Sequence, residues 1–244
     1  MRLKATILAA VGALALLAPL PAVAKEMERE DIEKIVRDYL LANPEILNEM
    51  IAELQAREQK TASEKAQTGI AENKDALFND GFSYVAGNPN GDVTLVEFFD
   101  YRCGYCKKAR PEVLGLIEAD KNVKLIIKEL PILSKVSEEA AKAAIAAQNQ
   151  GGDVYWKFHQ AMLSADDLDS DAIYDIAGGL GLDVDRLKKD MQDPAVEEKI
   201  KKTHELAEKL GVDGTPAFIV GDQLVPGYMS QDELKDLVAA HRGG

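Results

Sequence analysis

The chain has 244 residues, with 29 basic against 42 acidic side chains and a formal net charge of −13. Such an acidic surface excludes nucleic acid and anionic membranes as partners. The two cysteines and three scattered histidines (His159, His204, His241) provide no second Cys/His pair of suitable spacing, which excludes a structural zinc site. The histidines read as surface or packed residues.

From the N-terminus, Arg2 and Lys4 precede an apolar run from Ala5 to Leu20, and Ala22-Val23-Ala24 is a small-x-small cleavage site. This predicts a secretory signal peptide over residues 1–24, too short and wrongly flanked for a membrane anchor. Its removal leaves 27 basic against 42 acidic residues. No later apolar stretch is long enough to span a bilayer, so a soluble protein exported to an oxidising compartment, a bacterial periplasm, is expected.

Residues 25–67 form a highly charged arm. Ile32, Ile35, Val36, Tyr39 and Leu40 fall on one helical face, and Leu47, Met50, Ile51 and Leu54 on one face of a second helix. Asn43-Pro44-Glu45 marks the break, with Asn43 read as N-cap and Pro44 as first helical residue. Gln55 to Gln67 reads as a solvated helix or a mobile connector. The arm has an apolar stripe and no core of its own. It must bury that stripe on the main domain or on other copies of itself, and self-association is the expectation.

Residues 76–136 begin an α/β domain. Phe82–Ala86 is a possible short strand, followed by the turn Gly87-Asn88-Pro89-Asn90-Gly91. Val93–Phe99 reads as a buried strand, Lys107–Ala119 as a helix and Val123–Lys128 as a second apolar strand, a βαβ unit with parallel pairing. Residues 137–210 turn helical, from the alanine-rich Ala140–Ala147 to the helix opened by Asp193-Pro194. Trp156, with Tyr155 and Phe158, reads as core or groove wall. Residues 211–244 return to strands at Ala217–Val220 and Gln223–Val225, and Ser230-Gln231-Asp232-Glu233 is a capping box for a last helix.

The chemistry lies at Cys103-Gly104-Tyr105-Cys106, directly after the buried strand and at the start of the helix. A cysteine in the first turn of a helix faces unpaired N–H groups and the positive end of the helix dipole, which favour its thiolate. The thiolate is the species that attacks disulfides, so the motif points to thiol–disulfide exchange. A structural disulfide across two intervening residues would stabilise little, because its entropic effect grows with loop length. Cys103 should be the more exposed, nucleophilic thiol, and Cys106, one turn further in, the resolving thiol. Glu97 lies six residues before Cys103 on an otherwise apolar strand and should be partly buried, with a raised pKa if unpaired. Lys128 on the neighbouring strand is its candidate partner.

This layout resembles the thioredoxin fold, and more closely its DsbA-like branch, in which a helical domain interrupts the core. The points of resemblance are Phe98-Phe99 before Cys103-x-x-Cys106, the helical insertion, and Gly214-Thr215-Pro216-Ala217-Phe218 before the return hairpin. The resemblance implies a cis-proline at Pro216 beside the cysteines. It implies that Thr215 presents backbone groups to an extended client segment, and that Glu97 exchanges a proton with Cys106. With residues 31–45 included, the chain looks like the ScsC/Com1-type group, whose members carry N-terminal helices that some use to form trimers. Gly104-Tyr105 and Thr215-Pro216 differ from the Pro-His and Val-Pro of DsbA and look like the disulfide isomerase DsbC. A Cys103 thiolate less stabilised than DsbA's (about 3.5) but below a free cysteine's (~8.5) follows.

The expected protein is therefore an α/β thioredoxin fold with an inserted helical domain and an N-terminal oligomerisation arm. It acts as an oligomeric disulfide isomerase or reductase on secreted clients, with Gly104 and Tyr105 among the client-contacting residues and no cofactor. The implied partner is a membrane reductase of the DsbD/ScsB type. One alternative is a monomeric DsbA-like oxidase reoxidised by a quinone-linked membrane protein. Another is a holdase, or a copper(I) carrier using both thiolates.

Overall fold

The computed structural model describes residues 27–242, and the leader predicted over residues 1–24 lies outside them. The chain divides into two compact units between Leu54 and Gln55.

In the first unit, α1 (Arg29–Ala42) is followed by the start of α2 (Glu45–Glu72). The break differs from the sequence expectation. Asn43 Nδ2 donates to Tyr39 O at 2.7 Å, so Asn43 closes α1 instead of opening α2. A side-chain amide donates as well as accepts, and here it adds a second donor to the Tyr39 carbonyl, which already accepts the Asn43 N–H at 3.0 Å. The predicted stripe is present: Ile32, Ile35, Val36, Tyr39, Leu40, Leu47, Met50, Ile51 and Leu54 are 44–63% exposed. α2 continues unbroken through the stretch read as a solvated helix or connector.

The second unit is built on a five-stranded mixed sheet ordered β1-β3-β2-β4-β5. Its strands are β1 (Tyr84–Gly87), β2 (Val93–Phe99), β3 (Val123–Glu129), β4 (Ala217–Val220) and β5 (Gln223–Pro226). β2 and β3 pair in parallel across α4 (Gly104–Ala119), as the βαβ reading requires, and β1, β4 and β5 pair antiparallel. Strands covered on both faces read as nearly continuous apolar runs, which is why β2 and β3 show little alternation.

The two faces carry separate cores. Leu95, Phe99, Leu125 and Ile127 share one with Val113 and Leu116 of α4, the helical block, and Leu234 and Val238 of α10 (Gln231–His241). Val96, Phe98 and Ile126 share the other with Leu77 of α3 (Lys74–Phe78), Ile70 of α2, and Leu206 and Leu210 of α9 (Pro194–Leu210). The insertion between β3 and β4 comprises α5 (Lys135–Ala147), α6 (Gly152–Ser164), α7 (Ser170–Gly179), α8 (Val184–Asp190) and α9. This is the thioredoxin fold with a helical insertion. Ser230 and Glu233 form the predicted capping box at α10. Among the described residues no helix is long and apolar enough to cross a membrane.

Candidate active site

Phe98 and Phe99 are buried at the end of β2 and anchor the turn that follows. Cys103 is the N-cap of α4, with extended backbone (φ −73°, ψ 115°), and its carbonyl accepts the Lys107 N–H at 3.0 Å. Its sulfur therefore sits over the open N–H groups of the first turn. Cys103 is 7% exposed and Cys106, on the inner side of that turn, 0%. Both cysteines are free thiols.

The Thr215–Pro216 peptide bond is cis and lies against this pair. The Cys103 thiol donates to the Thr215 carbonyl at 3.1 Å. Thr215 Oγ1 is fully buried and is the one such side-chain atom without a partner among the described residues. The arrangement suits a sulfur that loses its proton. Once ionised, Cys103 becomes an acceptor and the orphaned Thr215 hydroxyl gains a partner. The Cys103 pKa is accordingly lowered to about 5, chiefly by the Cys106 thiol hydrogen bond and against burial, with the Thr215 hydroxyl and the Cys106 and Tyr105 peptide N–H groups assisting. This falls inside the range expected from the sequence. Burial pushes the Cys106 thiol well up, and its hydrogen bond to Cys103 and the charge of Glu97 add to the rise.

Glu97 is 5% exposed, and burial raises its pKa to about 8. Its predicted pairing with Lys128 is not made. In the parallel register Glu97 lies opposite Ile127, while Lys128 lies opposite Phe98, so the two side chains occupy opposite faces of the sheet. Lys128 instead donates to Asp80 Oδ2 at 2.5 Å and to Ala76 O at 2.8 Å on the far side. Burial opposes the charge on Lys128, and Asp80 only partly restores it. Tyr105 is 64% exposed and Gly104 has open space where a Cβ would stand, so the dipeptide faces outward.

Sequence reasoning missed a set of buried polar groups behind the turn. Asp100 is 1% exposed and accepts three peptide N–H groups. Tyr101 Oη meets His159 Nδ1 at 3.0 Å, and Tyr155 donates to Glu129 Oε1 at 2.8 Å. Burial lowers the His159 pKa to about 3 and raises that of Glu129 to about 8, the latter against the Tyr155 hydrogen bond and Lys199. His159 also stacks on Trp156 and Tyr155, so it is a packed residue, and Trp156 is wall to this cluster. His204 and His241 are partly buried and distant in sequence from this cluster. On the surface, Arg102 bonds Leu168 O and Asp167, and Lys107 donates to Ala165 O at 2.6 Å, tying the turn to the helical block. The one available signal was the alternation of Glu129 with Ile127, which places it on the Glu97 face. No periodicity links Tyr101 to His159 across 58 residues.

The DSBA-like thioredoxin domain family matches residues 94–239, which span the cysteine pair, Glu97 and the cis-proline. The chain belongs to that family. Residues 28–60 of this DsbA-like protein match the copper resistance protein ScsC N-terminal domain. A thioredoxin-like oxidoreductase from Silicibacter pomeroyi is 47% identical, with a TM-score of 0.68 over 70% of this chain and 99% of that one. A linker-deletion variant of Proteus mirabilis ScsC is 28% identical, with a TM-score of 0.69 over 92% of this chain and 98% of that one. Disulfide bond formation protein D of Bacillus subtilis is 25% identical over 166 residues, 63% of this chain and 74% of that protein. Na(+)/H(+) antiporters NhaA also match, and the chain spans only 21% of the length of NhaA 3 of Salinispora tropica and 25% of that of NhaA 1 of Salinispora arenicola. The chemistry of this DsbA-like chain is that of a thiol–disulfide oxidoreductase of the DsbA/ScsC type.

Proposed function

We propose that the protein is a periplasmic, oligomeric disulfide isomerase or reductase acting on secreted clients. Cys103, ionised above about pH 5, attacks one sulfur of a client disulfide. A Cys103–client mixed disulfide forms and the other client sulfur leaves as a thiolate. In isomerisation a second client thiolate attacks the client sulfur of this bond and regenerates the Cys103 thiolate, with no net redox change. In reduction Cys106 gives its proton to the ionised fraction of Glu97, which grows as the pH approaches 8, and attacks Cys103. The client leaves as a thiolate and the pair becomes a disulfide, which a membrane reductase of the DsbD/ScsB type would return to the dithiol. Thr215 offers its carbonyl to an extended client strand once ionisation of Cys103 has released it. Pro216, Gly104 and Tyr105 form the surrounding contact surface.

The observation that carries the isomerase reading is the apolar stripe on α1 and the first half of α2, exposed at nine positions. Contiguous exposed apolar surface of this kind marks an interaction site, and its seam-like pattern suits another copy of the same helices. Self-association would present several Cys103 thiolates to one misfolded client. A second reading, a DsbA-like oxidase reoxidised by a quinone-linked protein, is favoured by the lowered Cys103 pKa. A stabilised dithiol makes the corresponding disulfide a stronger oxidant.

Reactivation of scrambled ribonuclease separates the two. The test compares the mature protein with a chain beginning at Gln55, which keeps the buried Ala66, Gly69 and Ile70 of α2. Recovery by the longer form alone is expected. Rapid oxidation of reduced ribonuclease by both, without recovery of the scrambled form, would replace the isomerase by the oxidase.

A further inference from the structure

Asp100 follows β2 directly and precedes Cys103 by three residues. Its side chain is buried among main-chain donors, and among the described residues it has no cationic partner. Oδ1 accepts the Arg102 N–H at 2.7 Å, and Oδ2 accepts those of Ile132 at 2.9 Å and Leu133 at 3.0 Å. Arg102 belongs to the active-site turn. Ile132 and Leu133 belong to the loop after β3, just before Ser134, which caps α5. One carboxylate thus joins two loops that come together only in the folded sheet. The main chain of the same residue touches the dithiol. Its carbonyl accepts the Cys103 N–H at 3.1 Å, and its own N–H faces the Cys106 sulfur, where it favours the thiolate. A carboxylate whose two oxygens both accept peptide N–H groups has little freedom to move, because releasing any of the three leaves a buried donor unpaired.

We propose that Asp100 is the positioning residue of the dithiol: its carboxylate locks the active-site turn to the Ile132–Leu133 loop and so holds its own carbonyl and N–H in line with Cys103 and Cys106. The proposal rests on the reading of Cys103 as nucleophile and Cys106 as resolving thiol. The lock acts at two steps. It keeps Cys103 over the first turn of α4, where the thiolate is stabilised. It also keeps a donor on the Cys106 sulfur as that sulfur ionises to close on Cys103.

The test is Asp100→Asn, nearly identical in shape. An amide has one acceptor oxygen and two donors, so in either orientation at least one of the three N–H groups meets an NH₂. Two readouts are needed beside a urea melt. One is the titration of the Cys103 thiolate by absorbance at 240 nm. The other is single-turnover reduction of a glutathionylated peptide, which separates formation of the mixed disulfide from its resolution. The expected result is a Cys103 titration displaced upward and resolution slowed about tenfold, the equivalent of one lost hydrogen bond to a charged group. The mixed disulfide accumulates.

Ile132→Ala and Leu133→Ala keep the peptide N–H groups and are expected to leave both readouts unchanged. Ile132→Pro removes one donor without touching the carboxylate and is expected to act in the same direction as Asp100→Asn. It also serves if Asp100→Asn does not fold. A folded Asp100→Asn or Ile132→Pro protein with an unaltered thiolate titration and unaltered resolution overturns the proposal, whatever its melt shows. A wild-type protein in which Cys103 does not form the mixed disulfide would overturn the reading of the site itself, a separate failure.

Discussion

At the residue scale, the site is organised by where protons sit. Thr215 holds a hydroxyl in reserve for the thiolate, so Thr215→Val should raise the Cys103 pKa from about 5 to about 6, the loss of one hydrogen bond to a charged group. The 240 nm titration reads this directly, and alkylation by iodoacetamide between pH 4 and 7 should follow the same curve. Glu97 makes an opposite contribution to stability. Its pKa is about 8 in the fold and 4.5 as a free group, so the native state holds a proton that the unfolded chain releases in between. Stability is therefore present below about pH 4.5 and is lost as pH rises towards 8. Relative to wild type, Glu97→Gln should gain on the order of 3 kcal/mol between pH 5 and pH 8 in urea melts. It should also slow the Cys106 step. A constant difference across that range would mean the carboxyl is ionised in the fold. Glu97 was legible in the sequence as the lone acid in an apolar strand. Its independence from Lys128 was not, because adjacent-strand residues share a face only in one register.

At the element scale, helices pack closely where side chains are absent. Gly69 lies in α2 with no turn or cap to explain it. A Cβ there would stand 2.6 Å from the Lys209 carbonyl oxygen and 3.3 Å from Leu210 Cα on α9. Both obstacles are backbone, which cannot swing aside as a side chain would. Gly69→Ala gains up to about 1 kcal/mol of helix propensity but must push the two helices apart. A net loss of about 1–2 kcal/mol is expected, measured as a lower urea midpoint with an unchanged slope. The strands and most helices were legible from apolar periodicity and caps. The crossing of α2 and α9 was not, since nothing local in either helix names its neighbour.

At the scale of the whole molecule, the first unit exposes its apolar stripe, and the proposed function requires that stripe to be covered by another copy. Ile35→Glu together with Leu47→Glu should convert the assembly to monomers in light scattering. Fold and Cys103 reactivity should persist, because both positions lie in the first unit. Scrambled ribonuclease recovery should fall with the mass. A wild-type protein that is already monomeric at micromolar concentration would remove the basis for the oligomeric reading. The number of copies was never legible, because two short helices repeat the seam too few times to set a register.

The sequence by itself determined the chemistry and the frame around it. A lone Cys-x-x-Cys between a buried strand and a helix start, an acid in that strand and a Thr-Pro before a hairpin are local signals, written in neighbouring residues. The tertiary structure alone decided which polar groups face one another: Thr215 with Cys103, Asp100 with Ile132 and Leu133, Lys128 with Asp80, Tyr101 with His159. The reason is that burial makes each of these groups require a partner. The partner comes from whichever chain segment the sheet register and helix packing bring within about 3 Å.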